Sequence, residues 1–95
     1  MSDSTNTPTV VLVHGGFADA SFWAPVIKEL QGDDVPVLAP PNPLRGLAHD
    51  AEYLASYVNQ IDGTVHLVGH SYGGAVISVA GASTPNAVGL VYVAV

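Results

Sequence analysis

The chain lacks cysteine and has few basic residues. Its 95 residues include no cysteine and only two positive side chains, Lys28 and Arg45, for a net charge of −6. Without cysteine there is neither a disulfide framework nor thiolate chemistry. Nucleic acids and anionic membranes attract proteins mainly through basic side chains. The composition therefore predicts neither of them as a partner.

Long apolar runs are also missing. No run approaches the roughly 18 residues of a membrane span. Residues 1–8 are polar and acidic and lack the basic and apolar regions of a signal peptide. We therefore expect a disordered lead-in at residues 1–8 and a soluble, cytoplasmic protein.

The charged fraction is low while the apolar fraction is high. Charged residues make up 11% of the chain and apolar residues 48%, whereas soluble domains usually carry about 25% charged residues. A small domain has a high ratio of surface to volume and needs polar residues to cover that surface. The composition therefore predicts that further protein covers part of this surface.

Strand-like and helix-like segments alternate along the chain. The predicted strands cover residues 9–13, 35–39, 64–68 and 87–95, and the predicted helices cover about 20–30, 47–60 and from the turn at residue 71 to about 82. Such alternation predicts an α/β fold with a parallel four-stranded sheet and helices on both faces. Phe22, Val26, Ile27 and Leu30 share a face of the first helix, and Ala51, Leu54, Ala55, Val58 and Ile61 are expected inward on the second.

The predicted sheet is incomplete. Three helices do not cover both faces and both edges of four parallel strands, and the last strand is the most apolar. An uncovered apolar edge strand promotes aggregation. We therefore interpret the sheet that residues 9–95 form as unfinished, that is, as part of a larger domain.

The most informative motif is Gly69-His70-Ser71-Tyr72-Gly73, which lies between a predicted strand and a predicted helix. That context is typical of a nucleophile elbow, a sharp turn that exposes a serine hydroxyl. Glycines at 69, 73 and 74 allow the close approach of strand and helix. Ser71 is then the nucleophile, and the Tyr72 N–H donates to the oxyanion. The simpler alternative is a helix N-cap serine after a glycine turn.

A second glycine-rich segment, His14-Gly15-Gly16-Phe17, follows the first strand. A loop at this position can present a backbone N–H opposite Tyr72 and so complete a two-donor oxyanion hole. Gly16 is the first choice for this donor and Phe17 the second. The alternative is a strand-to-helix turn that only needs glycine.

These two motifs resemble the N-terminal half of an α/β-hydrolase. Residues 14–23 are similar to the corresponding loop of small bacterial esterase-like members, which in turn are similar to plant methyl esterases and hydroxynitrile lyases. The resemblance implies Ser71 as nucleophile, Tyr72 and Gly16 as oxyanion donors, and the sheet order second, first, third, fourth strand. It also implies that the catalytic histidine, the acid and the helical cap follow the last strand seen here.

The remaining candidate side chains are interpreted as structural. This applies to all four histidines, His14, His49, His66 and His70; His14 lies close to the site at the end of the first strand, and His70 adjoins the serine. Asp19 and Asp50 resemble helix caps, and Asp62 belongs to a turn. Phe17, Phe22 and Trp23 are candidates for an apolar substrate pocket, although the last two are more often core residues.

The motifs favour the nucleophile-bearing part of a serine hydrolase acting on small esters through an acyl-enzyme. Loss of the base of a serine triad costs about 10⁶ in turnover, so we expect activity to need a complementing C-terminal segment or partner chain. Lyase and haloperoxidase chemistry stay open as variants.

The alternative function is a non-catalytic ligand-binding or assembly module, for example a homo-oligomer. A nucleotide site is disfavoured because the first loop lacks the Gly-x-Gly-x-x-Gly spacing, and no cofactor or metal is predicted.

Overall fold

Strands and helices alternate in the computed structural model, which describes residues 7–16 and 20–94. The strands are β1 (Thr9–Val13), β2 (Val37–Leu38), β3 (Val65–His70) and β4 (Ala87–Val93), and the α-helices are α1 (Ala24–Gly32), α2 (Leu47–Val58) and α3 (Tyr72–Gly81). A 3₁₀ helix, Ala20–Trp23, precedes α1. Most of the predicted lead-in, Asp19 and Phe17 lie outside the described residues.

All strands are parallel, and their order in the sheet is β2-β1-β3-β4. This confirms the predicted fold class and the order implied by the resemblance. In such an order, right-handed crossovers place α1 on one face and α2 and α3 on the other. The carboxyl ends of all four strands then lie along one edge, where β1 leads into the His14 loop and β3 leads into Ser71.

The main core lies between the sheet and the helix pair α2 and α3. Val11, Val13, Val65 and Leu67 point from the two central strands into this core. The predicted inward residues of α2 are confirmed, since Ala51, Leu54, Ala55 and Val58 are buried and Ile61 packs against the cluster.

The opposite face of the sheet is thinly covered. Leu12 points to that face and is buried, as is Trp23 of the 3₁₀ helix. The predicted single helix divides here, because Pro25 lies in the first turn of α1, where a proline without N–H is best tolerated. No residue of α1 is buried, so the apolar face predicted to include Val26 stays accessible.

The second and third strands depart most from their predicted bounds. β2 has only two residues instead of five, since Val35 N–H bonds the Leu30 carbonyl at 3.0 Å rather than a strand. β3 continues two residues beyond Val68, because Gly69 pairs with Val13 on one side and His70 pairs with Val93 on the other. The sheet therefore supports the chain right up to Ser71.

The edge strand β4 exposes its apolar side chains. Val88, Leu90, Val91, Tyr92 and Val93 are all exposed. The ladder to β3 shifts register at Val65 and His66, and a Cβ on Gly89 would lie 2.4 Å from His66 Nδ1. His66 therefore lies half-buried over Gly89. Among the described helices, none is long and apolar enough to cross a membrane.

Candidate active site

Ser71 occupies a strained turn between β3 and α3. Its backbone angles are φ 55° and ψ −121°, a combination that costs a non-glycine residue of order 1–3 kcal/mol and persists only where the surroundings enforce it. The surroundings here are two hydrogen bonds: Ser71 N–H donates to Val93 O at 3.2 Å, and Ser71 O accepts from Gly74 N–H at 2.8 Å. The serine side chain is left exposed at the sheet edge.

Two glycines permit this turn. A Cβ on Gly69 would lie 2.5 Å from the Gly73 carbonyl oxygen, and a Cβ on Gly73 would lie 2.3 Å from the Val13 carbonyl oxygen. Both obstacles are backbone atoms, so no side-chain rotation relieves them. The first turn of α3 therefore rests directly on the end of β1.

The loop after β1 reaches the serine. Gly15 is buried, and a Cβ there would lie 3.1 Å from Ser71 Cβ and 3.1 Å from the His70 carbonyl oxygen. Gly16, the next residue, is exposed and has open space around its Cα. Gly16, the first-choice oxyanion donor, therefore directly follows Gly15, which lies beside Ser71. Phe17, the second choice, lies outside the described residues.

Tyr72 opens α3 directly after the serine. As the first helical residue its N–H has no acceptor within the helix, and the helix dipole favours negative charge at this end. Ser71, Tyr72 and the Gly15–Gly16 backbone are therefore grouped at one sheet edge. Their catalytic roles stay predictions.

The side chain of Tyr72 has a partner that the sequence analysis missed. Tyr72 OH donates to Asp50 Oδ2 at 2.6 Å, and Arg45 N–H donates to Asp50 Oδ1 at 2.9 Å. Asp50 was predicted to cap a helix, but the residue at the N-cap of α2 is Gly46. The available signal was helical spacing: Asp50 lies four residues before Leu54 on the buried face, and a buried carboxylate requires donors.

The two groups shift each other's pKa. Burial raises the pKa of the Asp50 carboxyl, but hydrogen bonds from Tyr72, from the backbone at Arg45 and from His49 outweigh burial and hold the pKa below its ordinary value. Burial, together with the hydrogen bond to Asp50 and its negative charge, raises the pKa of the Tyr72 phenol to about 12. At neutral pH the pair is a carboxylate that accepts and a phenol that donates.

His14 has a structural role in the described contacts. Its buried ring donates from Nδ1 to the Gly15 carbonyl at 2.8 Å and accepts at Nε2 from Asn42 N–H at 3.0 Å. Both nitrogens are occupied in the neutral tautomer, which leaves none to accept a proton from Ser71. This geometry agrees with the structural interpretation.

The other histidines also lack a hydrogen bond to Ser71 among the described residues. The His70 ring packs on Phe22, with ring centroids 4.6 Å apart, and edge-on against Trp23 at 6.3 Å. His49 lies within α2 with a half-exposed side chain, 3.5 Å from Asp50 Oδ1. In residues 7–16 and 20–94 no cluster of three or more His, Cys, Asp or Glu side chains is arranged to hold a metal ion.

Comparisons with known proteins agree with the observed fold. A family model described as the alpha/beta hydrolase family matches residues 10–95. No match was found among curated proteins. Several solved structures are similar, and the chain spans about two fifths of the length of each of those described next.

An extracellular alpha/beta-hydrolase from a Paenibacillus species shares 28% identity over 90% of this chain and 39% of its own, with a TM-score of 0.80. It is described as sharing structural and functional homology with tobacco Salicylic Acid Binding Protein 2. A pyrethroid hydrolase from Sphingobium faniae shares 25% identity with the same two coverages and a TM-score of 0.73. The pyrethroid hydrolase PytH shares 26% identity, again over 90% and 39%, with a TM-score of 0.76.

Proposed function

Because this chain belongs to the alpha/beta hydrolase family, we propose that it is the nucleophile-bearing part of a serine hydrolase that acts on carboxylic esters. The observation that carries the proposal is the strained backbone of Ser71 beside the Gly15 loop. Strain of this kind is retained where it positions a reactive group. The similarity to hydrolases at 25–28% identity supports the same reaction class.

The proposed reaction has two steps. Ser71 Oγ attacks the ester carbonyl carbon while a histidine takes the hydroxyl proton, and the Tyr72 and Gly16 N–H groups stabilise the oxyanion. Collapse of the tetrahedral intermediate breaks the bond to the alcohol, which leaves with that proton. Water then attacks the acyl-enzyme with the same histidine as base, and the acid product and free Ser71 are released.

We place the histidine and its acid in a C-terminal segment or a partner chain. No described histidine is hydrogen-bonded to Ser71, and the chain spans only about two fifths of the similar structures. Oxyanion donors and binding alone leave roughly 10³–10⁴-fold catalysis over water when a triad member is lost. The chain by itself should therefore acylate slowly and turn over very little.

A fluorophosphonate probe tests this proposal. We expect mass spectrometry to find slow labelling of Ser71 in the chain alone and much faster labelling when a polypeptide carrying the histidine is added. Ser71→Ala should abolish labelling, whereas Ser56→Ala, at an exposed serine of α2, should not change it. An assembly that contains the histidine but leaves Ser71 unlabelled contradicts the proposal.

A second candidate is a binding or assembly module without turnover. The observation that favours it is the exposed apolar row on β4, where Leu90, Val91 and Tyr92 are each at least 40% exposed. A second copy or another chain would cover this row. A stable homodimer by mass in solution, without a second chain and without probe labelling, would favour this candidate over the enzyme.

The location of the protein is a separate proposal. We propose the cytoplasm, the compartment that we expect from the composition of residues 1–95. The similar Paenibacillus hydrolase is described as extracellular, so cell fractionation is needed. Recovery of the protein from the culture medium of intact cells would contradict the proposal.

A further inference from the structure

The proline-rich loop of residues 39–46 is bonded at one end to the segment that carries Gly16. Asn42 N–H donates to His14 Nε2 at 3.0 Å, and Asn42 Nδ2 donates to the His14 carbonyl at 3.1 Å. Both residues are buried. The pairing of β1 with β3 ends at Val13 and Gly69, so beyond that point the loop holds the His14 backbone in place of the sheet.

The other end of the loop is connected through Asp50 to Tyr72, the residue that carries the elbow donor. Arg45 N–H donates to one oxygen of the Asp50 carboxylate, and Tyr72 OH donates to the other. Asp50 is only 1% exposed, so water does not compete for these bonds. One buried side chain therefore joins the loop to the first residue of α3.

On the basis of the proposed function, we propose that Asn42 and Asp50 are positioning residues that hold the two oxyanion donors at a fixed separation through the proline-rich loop. We call residues 42–50 the clamp. An oxyanion hole needs both donors within 2.7–3.1 Å of one oxygen, and a displacement of about 1 Å costs on the order of 10²-fold in rate. Each end of the clamp holds the segment of one donor.

The chemistry of the clamp suits this role. Pro43 restricts the backbone directly after the Asn42 anchor, and Pro40 and Pro41 restrict the chain that leads to it. The bond between Tyr72 and Asp50 is short because its acceptor is ionised. Since the pKa of Asp50 is lowered from its ordinary value and that of Tyr72 is raised to about 12, this bond keeps its proton arrangement at neutral pH.

The test compares labelling rates of clamp variants. Asp50→Asn keeps the volume and one acceptor oxygen, Tyr72→Phe keeps the ring and the N–H, and Asn42→Ala removes the other anchor. We expect each to lower the rate constant for fluorophosphonate labelling of Ser71 by about 10- to 100-fold. The fraction finally labelled should not change, because irreversible loss of folded protein would lower that fraction rather than the rate constant.

Tyr92→Phe is the matched control. It also removes a phenol bond of 2.6 Å, to Ser78 Oγ, but on the exposed side of β4 and α3. Its labelling rate should stay within about twofold of the unsubstituted protein. Clamp variants that label as fast as this control overturn the inference and leave the proposed function standing.

A second readout does not depend on chemistry at Ser71. Amide hydrogen exchange of Ser71 and Gly74, whose N–H groups are hydrogen-bonded at the elbow, should accelerate in Asn42→Ala and Asp50→Asn, while exchange in the centre of β3 stays constant. If the unsubstituted protein is never labelled, the proposed function fails. The exchange data alone then test whether the clamp holds the two backbone segments in place. Unchanged exchange at both amides overturns it.

Discussion

The contact between Gly73 and β1 yields the sharpest prediction. In Gly73→Ala the new methyl carbon would lie 2.3 Å from the Val13 carbonyl oxygen and 3.0 Å from the His14 carbonyl oxygen, where ordinary contact begins at 3.4 Å. Because the obstacles are backbone atoms, α3 must move away from β1 by about 1 Å. The same shift carries Tyr72 N–H away from the Gly16 loop.

The magnitudes follow from that displacement. Overpacking by one methyl group in a rigid environment costs typically 1–3 kcal/mol of stability. At about 4–8 °C per kcal/mol for a domain of this size, the melting temperature should fall by roughly 5–20 °C. A donor displaced by about 1 Å should slow Ser71 labelling on the order of 10²-fold.

The assays are thermal unfolding by circular dichroism and fluorophosphonate labelling. Gly32→Ala is the matched control, because Gly32 is also helical, at the end of α1, and a Cβ there would meet nothing within 4 Å. This variant should be neutral or slightly stabilised. If Gly73→Ala melts and labels like Gly32→Ala, the packing argument for the elbow is wrong.

Three further predictions follow from the same site. Ser71→Gly should be about 1 kcal/mol more stable than Ser71→Ala, because only glycine adopts φ 55° with ψ −121° without strain; equal urea midpoints would contradict this. The pKa of Asp50 is lowered on folding, so its contribution is complete above the ordinary value of about 3.9 and is lost as the pH falls through the folded value. Asp50→Ala should reduce the loss of unfolding free energy at acid pH. An unchanged loss would mean that other groups cause the sensitivity to acid. The pKa of Tyr72 rises from 10.0 to about 12, so stability should decline between those two pH values as the unfolded phenol ionises first; Tyr72→Phe should remove that decline, whereas Tyr92→Phe should not.

Local patterns in the sequence were sufficient for the fold and the elbow. Apolar β-branched runs and helical spacing predicted four strands, three helices and the inward face of α2, and the structure confirms them. The glycines around Ser71 predicted a tight strand-to-helix turn, because only glycine fits where two backbones nearly touch. The split of the first helix and the short β2 were missed: the split follows from Pro25 in the first turn of α1, and the short β2 follows from the bond of Val35 N–H to the Leu30 carbonyl.

The site contacts required the fold. Asn42 and His14 are 28 positions apart, and Asp50 and Tyr72 are 22 apart. Asp50 resembled a helix cap because the sequence shows only its neighbours along the chain. A carboxylate near a helix start can cap that helix or accept a hydrogen bond from a distant side chain such as Tyr72. The roles of Ser71, Tyr72, Gly16 and Phe17 stay predictions until they are tested chemically.

The sequence by itself determined the order of elements, the parallel sheet and the place of an exposed serine, because spacing and glycine sterics are local properties of the chain. Only the tertiary structure decided what holds that serine and its neighbours in place. Sheet pairing brings the ends of β1 and β3 together, and burial then forces each polar group there to find a partner. The partners it found, Asn42 for His14 and Asp50 for Tyr72, are a consequence of packing that no local pattern encodes.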